Sequence, residues 1–173
     1  MPTLIRNGAV VAHDPWRVIG LASGEPSLPY AHAEDIIVPL AAWTDDARSL
    51  SHRPGRTGIW LGPTDDPAQL AAHAFPALVA VHFPLFSDGR GNSTARLLRE
   101  RYGYRGELRA IGDILRDQLY ELARVGFDAF ALRDDQDARA ALRAFADFSE
   151  DYQAAADRAP LFVRRFGLEV QVR

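Results

Sequence analysis

The apolar positions change rhythm partway along the chain. Up to about residue 76 they come as short bursts separated by turn-forming residues. Leu4-Ile5 and Ala9-Val10-Val11 flank Asn7-Gly8, a favoured two-residue hairpin turn. Trp16 to Leu21 reads as a third strand, Ile36 to Leu40 as a fourth and Gly58 to Leu61 as a fifth. Two brief helices are expected between them. One would be capped by Thr44 or Asp45 and run to Leu50. The other would run from Pro67 to His73, with Thr64-Asp65-Asp66 as its start signal.

After Pro76 the pattern alternates regularly. The strand Leu78 to Phe83 leads through a turn cluster, Pro84 to Asn92, into a helix from Ser93 to Tyr102 that Gly103 ends. The strand Glu107 to Ile111 leads to Asp113, expected as the N-cap of a helix from Ile114 to Arg124. The strand Ala129 to Leu132 leads to a long helix from about Gln136 to Asp157, with Phe145, Phe148 and Tyr152 as a core-facing stripe. Leu168 to Val172 alternates as a half-buried strand does. Three consecutive βα units imply parallel strands joined by right-handed crossovers. A closed eight-stranded barrel needs about 250 residues. The expected class is therefore α/β: a half-barrel-like or small open parallel sheet, with a β-rich region over 1–76 and the βα repeat over 77–173, together one compact unit.

Composition narrows the chemistry. Of 173 residues, 47% are apolar and 25% charged, as in an ordinary soluble domain. No apolar run approaches the roughly 20 residues of a membrane span, and the N-terminal stretch lacks a signal-peptide pattern, so a cytoplasmic protein is expected. There is no cysteine, which excludes disulfides and a thiolate nucleophile. All 20 basic residues are arginine, which excludes Schiff-base chemistry and a P-loop lysine. The net charge of −3, with acids interspersed among the arginines, argues against a nucleic-acid partner. The five histidines show no metal-ligand spacing, and no dinucleotide-binding glycine motif opens a helix; no metal or cofactor is expected.

Ligands of βα units bind beyond the carboxyl ends of the strands. That places Asp88, Gly89, Arg90 and Ser93 first among the candidates, with Arg96 on the following helix. An anion held by the helix start and by guanidinium groups is one reading of this turn; a well-built turn with Asn92 or Ser93 as helix cap is the other. Glu107 and Arg109 alternate with Leu108 and share a face, the interior of a half-barrel or an exposed edge. Asp113, Arg116 and Arg133 mark the next two junctions.

With these residues in place, the chain resembles a bacterial family of uncharacterised proteins, domain of unknown function 934. The resemblance rests on F-P-x-F-x-D-G-R-G-x-S-x-A-R-x-L-R (Phe83 to Arg99), G-E-L-R-A-x-G-D-x-L-R-D-Q (Gly106 to Gln118) and G-F-D-A-F (Gly126 to Phe130). Weaker similarity extends over Ile36 to Trp43 and Phe148 to Gln153. It implies a place in assimilatory sulfate and sulfite reduction, as an oxidoreductase component or beside one. It carries over no catalytic residue. Members often have cysteine before the third motif, where this chain has Val125, which argues against a thiol mechanism. Three readings follow. The first is an accessory protein acting with the sulfite reductase haemoprotein or another sulfur-assimilation enzyme. The second is a small α/β enzyme or binding protein for an oxyanion such as sulfite, sulfate or phosphate, held by Arg90, Arg96, Arg109 and Arg133. The third is a dimeric scaffold; self-association is expected in any case.

Overall fold

The computed structural model describes residues 3–21, 33–71 and 75–146. The extension of the last helix beyond residue 146, its Phe148 and Tyr152, and the tail strand lie outside them.

The described residues form one mixed sheet of eight strands, numbered in chain order and curled into a half-barrel, in the order β2-β1-β8-β7-β6-β5-β4-β3. Strands β3 (Trp16–Val18), β4 (Asp35–Pro39), β5 (Thr57–Leu61), β6 (Leu78–Phe83), β7 (Glu107–Gly112) and β8 (Ala129–Leu132) run parallel. The hairpin β1 (Thr3–Arg6) and β2 (Ala9–Val11) adds antiparallel to β8. Its turn needs left-handed backbone at two successive residues, and Asn7 (φ 50°) and Gly8 (φ 75°) supply it. The N-terminal region thus feeds the same sheet, and βα alternation begins already at β4.

Burial follows the two-residue period of the strands. One face carries Ile36, Val38, Ile59, Leu61, Val79, Val81, Phe83, Leu108, Ala110, Phe130 and Leu132, and the helices pack on it. They are α1 (Leu40–Ser51), α2 (Ala68–Ala71), α3 (Arg90–Arg96), α4 (Leu119–Arg124) and α5 (Ala138–Ala141). The opposite, concave face holds a smaller cluster of Ile37, Leu78, Ala80 and Ile111, bordered by Trp16 and Trp60.

Three helix starts differ from those the pattern predicts. Helix α1 begins directly after Pro39 and is kinked at Asp46 (φ −145°, ψ 50°). Asp46, not Thr44 or Asp45, caps its second part by accepting the N–H of Ser49. Helix α3 starts at Arg90, three residues before Ser93, because Asp88 already turns the chain by accepting the Arg90 N–H. Gly91 fits in that first turn because a Cβ there would run into the Phe83 ring. The helix then widens into a π turn, Leu97–Arg101, and closes on Gly103 (φ 64°). Asp113 is not an N-cap: the chain stays extended at Leu115, makes a 3₁₀ turn over Arg116–Gln118, and only then enters α4. Gln118 caps this turn by accepting the Leu115 N–H. The last helix begins where expected, with Asp137 accepting from the N–H groups of Arg139 and Ala140.

Candidate functional site

The parallel strands β6, β7 and β8 deliver three loops to one edge of the sheet. After β6 comes Pro84 to Gly89, after β7 Asp113, and after β8 Arg133 to Asp135. Asp113 ties the three together. One oxygen accepts the Phe86 N–H at 3.0 Å, and the other accepts from the Arg133 guanidinium at 2.8 Å. Gln118 donates its amide to the Phe86 carbonyl at 2.8 Å. Both backbone groups of Phe86 are therefore satisfied by side chains of the next βα junction. The loop is held as an outward step on which Leu85 and Phe86 stand 63% and 58% exposed. Two adjacent large apolar side chains held in water by their own scaffold make this loop a candidate interaction surface.

Beside this step the ionic groups pair off. Arg90 grips Asp88 with two nitrogens, at 2.9 and 2.6 Å, and holds its carboxyl below the ordinary value. Arg133 makes a second fork to Asp135, at 2.7 and 2.8 Å, which holds that carboxyl down at about 2. Arg96 lies one helical turn from Glu100, 3.6 Å away, on the outer surface of α3, and Ser93 is exposed. Arg116 faces Asp117 at 3.8 Å, while its N–H is held by Gln136. A cleft of about 220 Å³ lies between the β6 loop and α4, bordered by Phe83, Phe86, Asp88, Gln118 and Glu121. Asn92, on its wall, buries an amide oxygen that has no partner among the described residues.

Glu107 and Arg109 lie elsewhere, on the concave face, as their alternation with Leu108 predicts; β7 is a central strand, not an edge. Arg109 is 2% exposed. It donates to Glu107 at 2.8 and 2.6 Å and to Asp14 at 2.6 and 3.3 Å, and Arg6 reaches Glu107 from β1 at 3.3 Å. His82 shares this face. Its ring stands edge-on to Trp60 at 5.8 Å, and burial pushes its pKa down, keeping the imidazole neutral. The four arginines expected to surround one anion thus sit on three surfaces: Arg90 and Arg133 at the strand ends, Arg96 outside α3 and Arg109 on the concave face.

The residue the sequence reading passed over is Arg99. Its guanidinium donates to the carbonyls of Gly126, Tyr104 and Gly106, each at 2.9 Å, and to Asp128 at 2.8 Å. Asp128 in turn accepts the Leu108 N–H at 2.9 Å. Burial pushes the Asp128 carboxyl up, although Arg99 and the Leu108 N–H pull against it. Arg99 closes the first motif string, Gly106 opens the second and Asp128 sits inside the third. One side chain joins all three. Neither Arg99 nor Asp14, in the connection from β2 to β3, carries a local signal of these contacts.

The fold and the site define a half-barrel α/β protein with a rigid apolar step at the strand ends. A family model for bacterial proteins of unknown function, DUF934, matches residues 58–162, and the chain belongs to that family. Neither the curated proteins nor the solved structures give a match. Among the described residues no helix is long and apolar enough to cross a membrane, and no three histidines or carboxylates gather as metal ligands would.

Proposed function

We propose that this protein is an accessory factor of assimilatory sulfite reduction. It docks beside the sulfite reductase haemoprotein, or another enzyme of sulfur assimilation, through the step formed by Leu85 and Phe86. The observation that carries the docking role is the way Asp113 and Gln118 clamp the Phe86 backbone while both apolar side chains face water. A pre-ordered apolar step loses little conformational entropy on binding. The paired ions around it, Asp88 with Arg90 and Asp113 with Arg133, provide a polar rim of the kind interfaces have. The pathway rests on the resemblance carried by the motifs around Asp88 and Asp113.

An oxidoreductase role for the chain itself draws no support from its residues, which include no cysteine and no dinucleotide loop. Oxyanion binding at the strand ends is also poorly supported, since Arg90 and Arg133 already hold carboxylates. Self-association belongs to the proposal, because a half-barrel ends in two edge strands, β2 and β3, that a second copy can continue; light scattering tests it. A cytoplasmic location belongs to it as well.

The genetic test is growth of a deletion strain on sulfate, sulfite and sulfide as sole sulfur source. Growth on sulfide with failure on sulfate and sulfite supports the reading, and complementation with Arg90→Ala then asks whether the rim matters. Normal growth on all three contradicts it.

A further inference from the structure

At the other end of the strands lies a cleft of about 600 Å³, bordered by the second half of α1, the loop into β5 and the segment before β6. It stands outside the docking step and uses none of the residues considered so far. Its charged lining is basic. Arg48, His52, Arg53 and Arg56 border it, and no carboxylate does among the described residues. Arg56 is committed to Asp35, at 3.0 and 2.5 Å, and stacks over Trp16 at 4.8 Å. Arg53 reaches the Glu34 carbonyl at 3.1 Å. Arg48 is exposed and makes no ion pair among the described residues.

The apolar part of the lining includes Phe75 and the indole of Trp43. Trp43 is 7% exposed, yet its ring N–H has no hydrogen-bond partner among the described residues. That N–H is sealed from solvent and takes no part in the cleft. A cleft with a surplus of positive donors and two aromatic residues on its wall fits a ligand with an anionic group and a flat apolar body. Its volume lies within the range of small-molecule sites, about 300–1,000 Å³.

We infer that this cleft is a binding site for an aromatic organic anion. A phosphate, sulfate or sulfonate head group is held by Arg48 with His52, and the ring lies against Trp43 and Phe75. Both parts are required: an inorganic anion lacks the apolar contact, and a neutral ring leaves the guanidinium unanswered.

The test titrates the full chain with naphthalene-1-sulfonate, 1-naphthol and inorganic sulfate, following tryptophan emission and binding heat. The sulfonate is expected to bind about tenfold or more tighter than either of the others, with quenching of tryptophan emission, and Arg48→Ala is expected to weaken it about tenfold. Arg48 is exposed, so that variant keeps the wild-type circular dichroism and melting temperature. Equal affinity for sulfonate and naphthol, no binding of the sulfonate, or wild-type affinity in Arg48→Ala would overturn the inference. None of these results bears on the docking step, which lies at the opposite end of the strands.

Discussion

Arg90 and Arg99 belong to the same motif string and both meet an aspartate, yet they do different work. Arg99 is sunk at the amino-terminal ends of β7 and β8, where its five-donor fork meets three carbonyls and one carboxylate. Arg90 lies at the opposite end of the sheet, in water, and its guanidinium meets Asp88 alone among the described residues. A largely buried guanidinium cannot be removed cheaply, because each of its acceptors loses its donor at once. An exposed pair gains little from its contact, because solvent screens it. Around β7 and β8 the amino-terminal ends are therefore where the motifs hold the fold, whereas at the carboxyl-terminal ends the motif residues stand at the surface.

Substitutions should separate the two ends by size of effect. Arg99→Ala is expected to cost about 3–5 kcal/mol in urea unfolding, since it takes the shared donor from three carbonyls and leaves Asp128 with the Leu108 N–H alone. Arg109→Ala follows closely, at about 3 kcal/mol, because Glu107 and Asp14 are then left facing each other on the concave surface. If either variant unfolds at the wild-type urea midpoint, the division between the ends fails.

Next comes Gly91→Ala, which pushes a methyl into the Phe83 ring and is expected to cost about 1–3 kcal/mol. Asp113→Ala removes the acceptor of the Phe86 N–H and is expected to cost about 1 kcal/mol, with faster amide exchange at Phe86 as the local readout. Arg90→Ala should leave the melting temperature at the wild-type value.

The smallest effect is a pH dependence. Asp135 has its pKa lowered to about 2 from an ordinary 3.8, through its fork to Arg133. The folded state therefore favours the ionised form, so the contribution is present above about 4 and is lost as pH falls toward 2. Carbon-detected titration of the Asp135 carboxyl should give a midpoint near 2 in the native chain and near the ordinary value in Arg133→Ala.

The strands were legible because each is a short apolar run bounded by turn residues, and β6 falls at Leu78–Phe83 as its run predicts. The shared face of Glu107 and Arg109 followed from alternation alone. The helix starts were less legible, because caps compete. Asp113 looks like an N-cap, but Gly112 (φ 102°) turns the chain so that its carboxylate reaches back to Phe86 and Arg133. Local sequence cannot register a competitor that arrives from another loop. For the same reason Arg99 passed as one more helix-surface arginine: its four acceptors come from the chain around residues 104–106 and 126–128. The apolar step was hidden differently. Leu85 and Phe86 fall inside the turn cluster Pro84 to Asn92, and only their exposure in the fold sets them apart.

The most direct measurement is affinity purification of the protein from cells growing on sulfate, comparing wild type with a Leu85→Asp/Phe86→Asp double variant of matched melting temperature. The account predicts that wild type retains an enzyme of sulfur assimilation, the sulfite reductase haemoprotein foremost, and that the double variant releases it. Retention of no such enzyme by wild type, or equal retention by both forms, would contradict it.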